Sequence, residues 1–320
     1  MLPNVYFATY DGSMHIIPSC EWLWNKYYVS NTVDNKTPHL NYLGYKKPDF
    51  KIDSNFVSLK DKRESFKDWS INIKAYLDKI PDEFIVFTID DNFLIDYANK
   101  DLISKAMEIM CNDSTIACCY GSFATSFNRD DRIYSHSSNR LDRVFEETED
   151  YIIYEGSKSR YHLVNLQPNI WRKSVLCEIL NNRFDIYDFE VTGSNIMRTS
   201  HYKFIGVEKK NAHSYRKSLF PNMYYTACSE RRNPGKVSVL GLKTQDVEQL
   251  LSLKLLNTQA LVYGYDKSYA IPYNEFSGKF NMILFEQKLK ERSKIRNNRQ
   301  LGDVVDNLDT FIDVLSPIYT

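Results

Sequence analysis

The 320-residue chain has no excess of charge of either sign, since Lys plus Arg and Asp plus Glu each total 41. No global field therefore draws it to nucleic acid or to an acidic membrane, and any basic contact must be local. Its six cysteines include no CxxC pair, which argues against structural zinc and for a reducing compartment. No stretch reaches the roughly 18 apolar residues that a spanning helix needs, and the opening MLPNVYFATYDG has neither a basic n-region nor a long apolar one. The expectation is a soluble, cytoplasmic protein with no membrane span. Also missing are GxGxxG after a strand, GxxxxGK[ST] and GxSxG. Rossmann dehydrogenase, P-loop and α/β-hydrolase readings therefore fail at the residues that would carry their chemistry. There is no internal repeat and no low-complexity linker.

What is present is an alternation of helical and strand patterns. Asn4 to Thr9 is short and β-prone, and ends in Tyr10, Asp11 and Gly12 as a strand running into a turn. Pro18 to Tyr28 fits a helix, and Leu40 to Tyr45 a short strand between polar loops. Ser65 with Asp68 forms a capping pattern, and Phe66, Trp69, Ile73, Leu77 and Ile80 follow at helical spacing. Pro81 and Asp82 end that helix, and FIVFTI, Phe84 to Ile89, reads as a strand buried on both faces. A second amphipathic helix through Leu102, Ala106 and Met110 leads to a strand at Thr115 to Tyr120. This order predicts an α/β fold. Phe123 to Tyr161 is polar and gives no readable pattern. Beyond about residue 236 the register changes, with a helix through Val247, Leu250 and Leu251. The expected division is a domain of 1–235 and a mostly helical C-terminal extension of 236–320.

The chemistry concentrates where FIVFTI ends in Asp90 and Asp91. Adjacent carboxylates repel and lose hydration together, so a buried strand has no use for them. In open α/β sheets, ligands bind beyond the carboxyl ends of strands, which is where these two fall. They are open to three readings: hard oxygen ligands of Mg²⁺ or Mn²⁺, an acid/base pair, or caps of the following turn.

FKDWSINIKAYLDKIPDEFIVFTIDDNFLID, together with LVNLQPNIWRKSVLCEIL and DFEVTGSN, resembles segments of GT-A-fold nucleotide-sugar glycosyltransferases of bacterial surface-glycan clusters and phages. The resemblance covers about half of the chain, between residues 1 and 215. It implies a GT-A-like fold, with a Rossmann-like, mixed but mostly parallel sheet flanked by helices. It further implies an enzyme moving a sugar from a nucleotide-diphosphate sugar, such as a UDP-sugar, with a divalent cation, Mn²⁺ or Mg²⁺, as cofactor. Asp90 and Asp91 would hold that metal, with His213 as a further ligand; a strict DxD frame would place its second acid at Asn92. Glu190 would be the base, with Asp188 its rival and Asp91 a further catalytic candidate. Thr9, Tyr10, Asp11, Arg216 and Lys217 would meet the donor. Trp171, Gly193 and Ser194 would meet the acceptor, Trp171 by stacking on a sugar unless it is a core residue, and Gly193 and Ser194 by close backbone approach unless they only make a turn.

The acceptor is a glycan or, alternatively, DNA carrying a hydroxymethylated base, as in phage DNA modification. EQKLKERSKIRNNR, residues 286 to 299, has six Lys/Arg against two Glu and could track phosphates, as could Arg231, Arg232 and Lys236. A charge run is also the ordinary solvated face of a helix. A non-catalytic glycan- or nucleic-acid-binding protein on the same fold is the rival of another class. A sugar nucleotidyltransferase ranks third, because TYDGSMH lacks the Gly-rich, Arg-bearing loop it would want after the first strand.

Overall fold

The computed structural model describes residues 2–30, 37–59, 65, 67–121, 143–160, 162–210, 218–222, 242–256, 261–263 and 270–272. The strands of the main sheet are β1 (Val5–Ala8), β2 (Leu40–Gly44), β3 (Asn55–Ser58), β4 (Phe84–Ile89), β5 (Ile116–Tyr120), β6 (Arg143–Glu147), β7 (Tyr151–Glu155), β8 (Asn169–Arg172) and β9 (Lys203–Lys209). They form one nine-stranded sheet in the order β3-β2-β1-β4-β8-β5-β9-β7-β6. The pairings make β7 and β8 the strands that oppose the rest, so the sheet is mixed with one dominant direction. The helices are α1 (Ile17–Trp24), α2 (Asp68–Leu77), α3 (Lys100–Asn112), α4 (Lys173–Leu180), α5 (Ile186–Thr199) and α6 (Thr244–Ser252). A short antiparallel pair, β10 (Leu261–Tyr263) and β11 (Ala270–Pro272), stands outside the main sheet. No described helix is long and apolar enough to cross a membrane.

By packing, the chain falls into two compact units, the first of residues 1–11, 24–90 and 96–222, and the second of 12–23, 91–95 and 223–320. The first contains the nine-stranded sheet. Alternation along β4 sends Ile85 and Phe87 to one face. There they join Trp69 and Ile73 of α2, Leu176 of α4 and Phe189 of α5 in a buried cluster. Fully burying one such side chain stabilises the fold by about 1.5–3 kcal/mol. On β1, Phe7 points the other way, stacking on Tyr42 at 4.6 Å and meeting Trp24 edge-on at 5.2 Å. Both faces of the central strands are thus covered, which is why FIVFTI is apolar but for Thr88. In the second unit, Val247 and Leu250 of α6 are buried and Ser19 Oγ donates to Leu255 O at 2.9 Å.

The capping pattern ahead of α2 is formed in part: Ser65 N–H donates to Asp68 Oδ2 at 2.8 Å, but Asp68 is the first helical residue and Ser65 Oγ accepts from Lys67 N–H, while Lys67, at the N-cap position of α2, makes no side-chain cap. The same carboxylate receives Arg183 through Oδ1, from Nε at 3.1 Å and from Nη2 at 2.9 Å, tying α2 to the turn before α5. Within 123–161, where no pattern was legible, the described part pairs β6 with β7 as an antiparallel hairpin at the edge of the sheet, β7 lying against β9.

At the amino end of β5, Asp113 accepts from the Thr115 hydroxyl at 2.5 Å and from Lys203 Nζ at 2.9 Å. The Thr115 hydrogen bond, then Lys203, hold its carboxyl down at about 2, from an ordinary 3.8. A depressed acid stabilises the fold above its unfolded value, and that contribution is lost as pH falls through the folded value. Asp113→Ala is therefore expected to lower the urea midpoint at neutral pH, with the gap from wild type closing between about pH 4 and pH 2. A gap that persists at pH 2 would mean that the side chain acts by something other than its charge.

Candidate functional site

Strand order creates the site. From β1 the chain passes to β2 and β3 on one side, then returns to β4 on the other, so β1 and β4 flank a topological switch point. At such a point the connections leave in opposite directions and a crevice opens past the strands' carboxyl ends. Ala8 is level with Leu43 of β2 and Ile89 of β4, which brings the residues after β1 beside the residue after β4.

Thr9 is buried and its Oγ1 donates to Leu43 O at 3.1 Å. Gly44 makes room for it, because a Cβ there would lie 2.3 Å from that hydroxyl. Tyr10 is 54% exposed. Asp11 Oδ1 accepts from Lys46 N–H at 3.2 Å, bridging the ends of β1 and β2. Thr9 thus sets the strand end, and Tyr10 and Asp11 are the surface there.

Asp90 closes β4 and is only 4% exposed. Asp91 is half-buried and begins the 91–95 segment of the second unit, and Asn92 in that segment is buried. Among the described residues no three His, Cys, Asp or Glu side chains gather as a closed metal cage. One or two carboxylates fit Mg²⁺ or Mn²⁺, which take their other ligands from water and substrate phosphate. They do not fit a closed structural zinc site.

Glu190 lies in the second turn of α5, whose start is fixed by Asp185 accepting from Tyr187 N–H and Asp188 N–H. Its Oε1 accepts from Leu166 N–H at 3.0 Å. Burial raises its carboxyl above the ordinary 4.5, and that amide opposes the rise. Leu166 in turn accepts at its carbonyl from Thr88 Oγ1 at 3.1 Å, and Thr88 precedes Asp90 by two residues on β4. Leu166 therefore ties Glu190 to β4 at Thr88, two residues before Asp90.

Asp188 is in the first turn of α5, beside the helix N-terminus, 3.6 Å from Lys67 Nζ. That is a surface ion pair in the position where helices favour acids.

Three expectations for the acceptor side are corrected. Trp171 is fully buried in β8, with its ring 5.9 Å from that of Phe204 and 6.5 Å from that of Phe189, so it is a core residue with no face for a sugar. Gly193 and Ser194 form no turn and lie inside α5. A Cβ on Gly193 would sit 3.2 Å from Ile179, so it is a packing glycine between α5 and α4. Ser194 is buried, and its Oγ accepts from Val164 N–H at 2.9 Å and donates to Val164 O. It braces the segment that Glu190 also holds.

That segment, Leu163 to Pro168, carries residues that the sequence reading missed. Asn165 Oδ1 accepts from Asn169 Nδ2 at 2.8 Å and from Gln167 N–H at 3.1 Å. Asn169 Oδ1 accepts from Gly121 N–H at 3.1 Å, and Asn222 Nδ2 donates to Gln167 Oε1 at 2.9 Å. The available signal was amides around a proline in NLQPN, and a lone hydroxyl in FIVFTI. His213, Arg216, Lys217, Arg231, Arg232, Lys236 and residues 286–299 lie outside the described residues.

No protein-family model and no curated sequence matches the chain. Among solved structures it is similar to the bifunctional IspDF from Campylobacter jejuni, at 11% identity and a TM-score of 0.35, covering 69% of this chain and 52% of that one. The chain thus spans about half the length of that protein. It is similar also to an apo UDP-glucose pyrophosphorylase, at 10% identity and a TM-score of 0.33, covering 66% of this chain and 91% of that one.

Proposed function

We propose that the chain is a glycosyltransferase, moving a sugar from a nucleotide-diphosphate sugar to an acceptor hydroxyl, a glycan being the favoured acceptor. The observation that carries this reading is the β1/β4 switch point with Asp90 at its edge, and the half-buried Glu190 tied through Leu166 to Thr88, two residues before Asp90. Asp90, with its chain neighbour Asp91, would hold a divalent cation. Such a cation neutralises the charge that develops on a departing diphosphate. Tyr10 and Asp11 would face the nucleoside, which suits their exposure at the end of β1. Glu190 would take the proton of the acceptor hydroxyl; burial, by raising its pKa, makes a carboxylate a better base. His213, Arg216 and Lys217 remain proposed partners of metal and diphosphate. A catalytic region of 1–235 with an extension of 236–320, and action in the cytoplasm, belong to the same proposal.

The test is a thermal-shift and hydrolysis screen of the purified chain against UDP-, GDP-, CMP- and dTDP-sugars, each with and without Mn²⁺. One nucleotide is expected to raise the melting temperature in a metal-dependent way, and Asp90→Asn and Asp91→Asn to remove the shift. Acceptors are then compared, glycans against hydroxymethylated DNA. Pyrophosphate-dependent release of a nucleoside triphosphate, in place of sugar transfer, would replace this reading with nucleotidyl transfer. Binding of glycan or DNA with no turnover of any donor would replace it with a binding protein.

A further inference from the structure

Thr88 is fully buried in β4, in a strand covered on both faces. A hydroxyl there costs stability unless it is hydrogen-bonded, and Val would suit such a strand better. Its Oγ1 donates to Leu166 O at 3.1 Å, and Leu166 N–H donates to Glu190 Oε1 at 3.0 Å. Thr88 is the penultimate residue of β4, and Asp90 is the first residue beyond the strand.

We infer that Thr88 is a positioning residue, tying the segment that holds Glu190 to the strand that ends in Asp90; this rests on the proposed transferase reading. Two further ties hold the segment: Ser194 fastens α5 to Val164, and Asn169, the partner of Phe87 in the β4–β8 ladder, holds Asn165. The Thr88 bond is the one that takes hold of Leu166 itself, the residue whose N–H meets Glu190. Without the Thr88 hydroxyl, Leu166 O loses its hold on β4, and the segment keeps the link to Phe87 through Asn165 and Asn169, three residues farther along. Proton transfer to Glu190 is then displaced from the donor, whereas donor binding at the strand ends is untouched. A misplacement of about 1 Å can cost on the order of a hundredfold in rate.

The test compares Thr88→Val, which keeps shape and removes the hydroxyl, with Thr88→Ser, which keeps the hydroxyl and removes the methyl. With the nucleotide sugar identified by the donor screen, Thr88→Val is expected to lower kcat by about tenfold or more, with donor KM and Kd within about twofold. Thr88→Ser is expected to recover kcat to within about threefold of wild type. Wild-type kcat in Thr88→Val overturns the inference, and so does a Thr88→Ser enzyme as slow as Thr88→Val. Should Thr88→Val fail to fold, the Ser variant decides alone, since it carries the donor and lacks the packing group. If wild type turns over no donor, it is the transferase reading that fails. The tie itself is then read from hydrogen exchange of the Leu166 amide, faster in Thr88→Val and unchanged in Thr88→Ser; equal rates in all three proteins overturn it.

Discussion

Glu190→Gln is expected to lower sugar transfer by about 10²–10⁴-fold, the usual contribution of a positioned general base, while donor binding stays and the fold becomes no less stable. The two halves have separate causes. Catalysis fails because an amide cannot take a proton from the acceptor hydroxyl. Stability survives because the amide oxygen can still accept from Leu166 N–H, the partner of Oε1.

The sign of the stability change follows from burial, which raises the Glu190 carboxyl above 4.5 despite that amide. A raised acid binds its proton more tightly folded than unfolded, so it weighs against the fold once pH rises above the unfolded value. Removing the charge relieves that penalty, so Glu190→Gln should melt at or above wild type at neutral pH. The difference should close as pH falls below the ordinary carboxylate range. Initial rates and melting curves on one preparation decide the matter. Full transfer activity would remove Glu190 as base. A lowered melting temperature would show that its charge is part of the brace on Leu166.

Much of this arrangement was legible in sequence wherever side chains repeat with a period. FIVFTI is apolar but for Thr88 because both faces of β4 are covered, and α3 showed itself by the spacing of Leu102, Ala106 and Met110. The position of Asp90 followed from the end of that strand. What stayed hidden was set by partners far along the chain. The β6/β7 hairpin, RVFEE with YIIYE, is held by pairing with β9 and has exposed positions on both faces, so no clean alternation marked it.

Trp171 fits a sugar platform or a core residue equally well by type. Only the placement of β8 between β4 and β5 resolves it. Gly193 and Ser194 read as turn residues from TGSN, although Asp185 and Asp188 have the spacing of a helix start and that helix runs through them. The Thr88, Leu166 and Glu190 chain spans more than a hundred positions and has no signature that neighbouring residues could carry.

Gly121→Ala is expected to be the most destabilising single methyl in the described structure. A Cβ there would lie 1.8 Å from Pro168 O and 2.3 Å from Phe220 Cδ2, far inside contact distance. Pro168 O is backbone and cannot rotate away. Phe220 is itself fixed, since its N–H donates to Gly121 O at 2.7 Å and its ring lies 5.8 Å from Trp24. Relief therefore requires moving the chain on one side or the other. Overpacking that displaces backbone costs about 3 kcal/mol or more, which in a unit of this size lowers the melting temperature by roughly 6–12 °C.

The displacement has a direction with functional meaning. Pro168 follows Leu166 by two residues, and Gly121 N–H is held by Asn169, so pushing Pro168 outward strains the segment on which Glu190 depends. The variant should lose transfer beyond what its lower stability explains at temperatures where it is fully folded. Urea unfolding and rates measured well below the melting transition separate the two effects. A wild-type midpoint would show that residues 163–168 or 218–222 yield to an added methyl and, if activity falls nonetheless, that it is 163–168, the segment between Thr88 and Glu190, that gives way.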